Sequence, residues 1–138
     1  MSYLIDTCVF SEYKKPVPEM RVLDWLADQP DESIYVSVLT FGELEKGIIR
    51  MPASNRKQNL TLFLGDLQQR YGSNILDLDL RVMRRWAAMI AVLESKGRPM
   101  PVIDSLIAAT ALEHNLTLVT RNESDFADTG VSVLNIWK

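Results

Sequence analysis

Along the chain, short apolar runs alternate with longer segments whose apolar residues recur every third or fourth position. The runs occupy residues 3–5, 34–36, 75–76, 116–119 and 131–134, and their shortness and near-continuous apolar character suit strands buried on both faces. A short helix is expected just after the first. EMRVLDWLADQP sets Val22, Leu23, Trp25 and Leu26 toward a core and stops before Pro30, while SNRKQNLTLFLGDLQQRYG opens on a serine cap and closes at Gly72. The longest segment runs from Leu80 to Lys96, ahead of Gly97. Its stripe of Val82, Trp86, Met89, Ile90 and Leu93 is widened by Met83, Ala87, Ala88 and Ala91, which predicts a helix covered on two sides. No repeat or linker-like tract interrupts the alternation, so one α/β domain over residues 1–138 with a largely parallel sheet is expected.

Composition narrows the classes. A chain of 138 residues with 47% hydrophobic and 24% charged content is of globular type. No apolar run approaches the ~18 residues that span a bilayer, and no membrane association is expected. A single cysteine and an N-terminus without a basic-then-apolar leader predict a cytoplasmic protein. The balance of 15 basic against 18 acidic side chains argues against bulk electrostatic attachment to nucleic acid. Setting aside a few metal-bound carboxylates would turn that balance slightly positive, so a nucleic-acid enzyme stays open.

The carboxylates change the picture most. Asp6 ends the first strand, Glu43 is expected in the first turn after the second, Asp104 opens DSLIAATALEHN, and Asp125 follows the fourth strand in TLVTRNESDF. Gly47, one turn beyond Glu43, leaves room beside it for a backbone or a metal. Ala108, Ala111 and Leu112 share a face with Asp104 and turn it inward at the sheet edge. Each acid alone reads as a helix cap or a first-turn acid complementing the helix dipole. Together they gather at the carboxyl ends of strands, where open α/β sheets place their ligand crevice. Like charges at one crevice repel and raise each other's pKa unless a cation is present, and a hard divalent cation such as Mg²⁺ or Mn²⁺ resolves the conflict.

LIDTCVFSE, FGELEKG, IDSLIAATALEHNLTLVTRNESDF and the closing VSVLNIW, in that order, resemble the blocks of PIN-domain ribonucleases, most closely VapC-type toxins of toxin–antitoxin pairs. The resemblance spans nearly the whole chain. It implies a three-layer α/β/α PIN domain with a central, mostly parallel five-stranded sheet and an Mg²⁺-dependent endoribonuclease, with Mn²⁺ a plausible substitute. Hydrolysis would proceed by metal-activated water. Asp6 and Asp104 would be direct metal ligands, and Glu43 and Asp125 would complete the site directly or through water. Thr7, Thr120 and Arg121 are candidate substrate contacts. Implied partners are an antitoxin, an RNA substrate with transfer RNA one candidate, and a second copy in a homodimer. Cys8 departs from the family pattern, which has asparagine there.

Rival readings are weaker. A cysteine nucleophile at Cys8 would need His114 as its base, but that residue lies ten positions beyond Asp104 on one helix, about 15 Å away at the helical rise. It reads instead as a helix C-terminus before Asn115. Asp77 and Asp79 resemble a phosphatase Asp-x-Asp pair, yet Asp79 suits an N-cap and no hydroxyl or lysine partner follows. A receiver-like domain would carry paired acids after the first strand and a lysine after the last, and IDTC and VLNIW offer neither. A non-catalytic PIN-like RNA- or protein-binding scaffold is the alternative, one that loss of an acid would favour. The remaining basic residues default to solvated surface.

Overall fold

Five short runs pair edge to edge because each is apolar on both faces and leaves its backbone groups needing partners. In the computed structural model, which describes residues 1–138, they are β1 (Tyr3–Ile5), β2 (Ile34–Ser37), β3 (Ile75–Leu76), β4 (Thr117–Val119) and β5 (Val133–Leu134). Their order is β3-β2-β1-β4-β5. Every neighbouring pair is parallel, with Leu4 opposite both Tyr35 and Leu118, and Val119 opposite Leu134. The expected mostly parallel sheet is thus wholly parallel.

Parallel strands need crossovers, and six helices supply the first three: α1 (Thr7–Ser11), α2 (Met20–Asp28), α3 (Val38–Ile49), α4 (Asn55–Arg70), α5 (Leu80–Ser95) and α6 (Val102–Glu113), while a 3-10 turn over Glu123–Phe126 carries the chain from β4 to β5. Alternation within each strand divides the core in two. Ile5, Ile34, Val36 and Val119 pack with α2, α3 and α4 residues such as Leu26, Leu44 and Leu64. Leu4 and Leu118 pack with Ile107, Ala108 and Ala111 of α6 and with Met89 of α5. The result is the three-layer α/β/α arrangement. No helix is long and apolar enough to cross a membrane.

Helix limits follow their capping chemistry. Ser54 accepts from the Lys57 amide at 3.1 Å and Asp79 from the Val82 amide at 2.9 Å, so Asp79 is the expected N-cap. α6 ends with His114 as C-cap and Asn115 at φ 53°, a left-handed cap. Gly97, at φ 66°, closes the turn after α5. Gly72 works differently from expectation, since α4 ends at Arg70 and passes through Tyr71 into a 3-10 turn over Gly72–Asn74.

Two expectations are corrected. α5 buries only Val82 and Leu93 fully, while Val92 is 51% and Leu80 63% exposed. Ala87, Ala88 and Ala91 also face outward. Within one chain the helix packs mainly against α6, and the other side of its apolar stripe is left outward. α3 begins at Val38, capped by Ser37 accepting from the Leu39 amide, so Glu43 lies in the second turn and not the first.

Candidate active site

The strand order creates the site. Successive strands β1, β2 and β3 march outward one way, the chain then returns to place β4 on the other side of β1, and the crevice opens at that switch point. Asp6 follows β1 and Thr120 follows β4, at the carboxyl ends of the strands flanking the switch.

Asp6 is buried, 6% exposed, and both of its oxygens are held. The Thr7 amide donates to Oδ1 at 2.8 Å, making Asp6 the N-cap of α1, and the Thr120 hydroxyl donates to Oδ2 at 2.7 Å. Helix cap and crevice acid are one residue. Burial pushes its carboxyl above the usual range, the Thr120 and Thr7 hydrogen bonds oppose this, and the Glu43 charge adds to the rise. Glu43 is steadied from α1, whose Thr7 hydroxyl donates to Oε1 at 2.6 Å. Asp104 sits in the first turn of α6, which starts two residues earlier than expected behind Pro101. Burial raises its pKa, and so do the charges of Asp6, Asp125 and Glu43 in that order. No protein group donates a hydrogen bond that would offset them. Asp125 stands in the 3-10 turn Glu123–Phe126, exposed, with Phe126 buried beneath it as anchor.

The charges of Asp6, Asp125 and Glu43 all act on Asp104, and that of Glu43 on Asp6, so the four acids lie near enough to feel one another. They are not, however, drawn together into a direct ligand cage, since no three His, Cys, Asp or Glu side chains are grouped to hold one ion. The donor set still suits a hard cation, with carboxylate oxygens only and Asp104 lacking any compensating donor.

Thr120 differs from its expected role. It is fully buried and its hydroxyl is committed to Asp6 and to the Asn122 amide at 3.2 Å, so it supports Asp6 and is closed to substrate in this conformation. Arg121 is exposed, with its guanidinium 5.9 Å from the Trp137 ring centroid. Cys8 occupies the place between these parts. Its thiol lies 3.8 Å from Asp6 Oδ2 and 3.6 Å from the Thr120 hydroxyl, and receives the Arg121 amide at 3.5 Å. Burial and the Asp6 charge hold the thiol protonated, a weak donor where an amide would be a strong one.

Sequence reasoning missed Glu12. This acid is 1% exposed, accepts from the Glu19 amide at 2.9 Å and the Trp137 indole at 3.2 Å, and pairs with Lys15 at 2.6 Å. It ties the loop after α1 to the C-terminal end, where Trp137 underlies Arg121. The available signal was its place in the same apolar block as Val9 and Phe10.

A parallel α/β sheet with mutually repelling carboxylates at its switch point defines the class of protein. The chain belongs to the PIN domain family, whose model matches residues 3–131. It is similar to the VapC ribonuclease Y4jK of Sinorhizobium fredii (strain NBRC 101917 / NGR234), 33% identical over 98% of this chain and 97% of the relative. The FitAcB crystal structure from Neisseria gonorrhoeae superposes with a TM-score of 0.92 at 32% identity, covering 98% of each chain. VapBC2 from Rickettsia felis, solved bound to a DNA fragment from its promoter, superposes at 0.76 with 28% identity, again over 98% of each chain.

Proposed function

We propose that this protein is a VapC-type endoribonuclease, the toxin of a toxin–antitoxin pair, using Mg²⁺ or, in its place, Mn²⁺ in the cytoplasm. The observation that carries the reading is Asp104, a half-buried carboxylate with no donor that faces the charges of Asp6, Asp125 and Glu43. An arrangement that opposes its own ionisation has a purpose when a cation binds. Similarity to a relative named a VapC ribonuclease, and to VapBC structures, supports RNA as substrate and an antitoxin as partner.

Asp6 and Asp104 would hold the ion directly in this reading, with Glu43 and Asp125 completing the site directly or through water. A bound divalent cation supplies Lewis acidity to the phosphoryl group and lowers the pKa of water. The chain supplies position. Thr7 and Thr120 fix the oxygens of Glu43 and Asp6, and Arg121, braced on Trp137, would hold a phosphate. Cleavage of RNA titrated with Mg²⁺ is the test, with Asp6→Asn as control. Activity that rises with metal in the parent and is lost in the variant is expected. Equal cleavage in EDTA would refute the reading.

A further inference from the structure

Most basic side chains away from the crevice have a partner within the chain. Lys15, Arg70, Arg81, Arg85, Arg98 and Lys138 each meet a carboxylate, and Arg21, Arg56 and Lys57 donate to backbone carbonyls. Lys14, Lys46 and Arg50 pair with no carboxylate, although acids outnumber bases in the chain. These three belong to one flank of α3.

Glu43, Lys46, Gly47 and Arg50 follow one another at helical i, i+3, i+4, i+7 spacing, so they form a single stripe beside the buried Leu44 and Ile48. The stripe begins at the crevice acid Glu43 and runs about 10 Å down the helix to Arg50 at 1.5 Å per residue. Lys14 joins it from the neighbouring turn Glu12–Lys14, its ammonium 3.1 Å from where a Cβ on Gly47 would stand. The space left by Gly47, expected to receive a backbone or metal, receives this lysine. Its position is held from below. The Arg56 guanidinium donates to the Lys14 carbonyl at 2.7 Å, and the Tyr13 ring lies 4.8 Å from that of Phe63. Lys46 and Arg50 are exposed, and Lys14 is half-buried.

We propose that Lys14, Lys46 and Arg50 form a track for the RNA backbone, holding the phosphates on one side of the scissile bond while Arg121 serves the other. This deepens the ribonuclease reading and rests on it. A phosphodiester strand accounts for both halves of the stripe: it meets carboxylates with a cation at the reacting phosphate and fixed positive charges beyond it. An acidic protein segment would find use only for the second half.

The test is binding of a mixed-sequence single-stranded RNA of about twelve nucleotides, within the usual range of single-strand site sizes. It is measured by fluorescence anisotropy over a range of salt concentrations, using Asp104→Asn protein so that nothing is cleaved. Adding Lys14→Gln, Lys46→Gln and Arg50→Gln together should weaken binding on the order of tenfold at low salt. The same change should flatten the log–log salt slope by about 2, because each single-strand phosphate that a cation neutralises contributes ~0.7. Arg84→Gln with Lys96→Gln, unpaired charges carried by and after α5, should leave the slope unchanged. A triple variant with the parent's slope, or an α5 double variant with the same weakening, would overturn the track. So would weaker capture of polyglutamate with RNA binding intact, which would give the flank to an acidic protein partner. The two readings fail separately. If wild-type protein cleaves RNA with Mg²⁺ but the triple variant keeps the parent's slope, only the track falls. If wild-type protein neither cleaves nor binds RNA, the ribonuclease reading falls and the track with it.

Discussion

Asp104 and Glu12 are both partly or wholly buried acids, and their surroundings drive them in opposite directions. For Asp104, burial and then the charges of Asp6, Asp125 and Glu43 raise the folded-state pKa. The folded protein therefore holds its proton to higher pH than the unfolded chain, and metal-free stability falls as pH rises through that window. Asp104→Asn should abolish cleavage and melt higher than the parent at neutral pH in EDTA, with the difference vanishing below pH ~4, near the ordinary carboxylate pKa. Thermal melts across pH would show it. A lower melting temperature for the variant at pH ~7 in EDTA would contradict the repulsion on which the site rests. For Glu12, burial works against ionisation, but the Glu19 amide, the Lys15 ammonium and the Trp137 indole prevail and hold the carboxyl below the usual range. Its stabilisation is present above the unfolded pKa and is lost as pH falls through the folded one. Glu12→Gln should cost about 1–3 kcal/mol at neutral pH, as expected for charge-assisted hydrogen bonds to a buried group. Chemical denaturation would check it, and a neutral effect would show that Lys15, half exposed, and the indole find water instead.

At the scale of elements, the strands and the long helices were legible because their patterns are local. Short, near-continuous apolar runs marked every strand within one or two residues, and Ser54, Asp79 and Asn115 marked helix ends. Asp6, Glu43 and Asp125 stood out as candidates by their places after strands, and Asp104 by its place at the start of α6. What escaped depends on contacts between distant segments. Thr120 looked like a substrate contact until its hydroxyl was found on Asp6, and the space at Gly47 filled from Lys14, far away in sequence. Glu12 owes its burial to Trp137, at the other end of the chain. The extent of α5's cover was also illegible, since a helical stripe records apolarity and not which neighbour meets it. Leu80, Ala87, Ala88, Ala91 and Val92 remain outward. We propose that a second copy covers them. Sedimentation at tens of micromolar should show a dimer and Val92→Arg should shift it to monomer. A monomer in the parent would contradict the assignment.

At the scale of the whole molecule, one sheet sets the chemistry by where its strand order turns. The switch point places Asp6 and Thr120 side by side, α3 and α6 bring Glu43 and Asp104 to the same crevice, and no histidine is near. The lone histidine caps the far end of α6. Metal-free ribonucleases commonly use the 2′-hydroxyl as nucleophile with histidines as acid and base, and this crevice has no histidine. On the proposed ribonuclease reading, water is the expected nucleophile, with carboxylates and a divalent cation in place of a histidine pair. The most direct measurement is cleavage, with Mg²⁺, of an RNA carrying one 2′-deoxy sugar at the scissile position, followed by analysis of the product ends. Continued cleavage with a 5′-phosphate and a 3′-hydroxyl is expected. A 2′,3′-cyclic phosphate from the all-ribose substrate, or complete loss of cleavage on the deoxy substrate with binding unchanged, would contradict it.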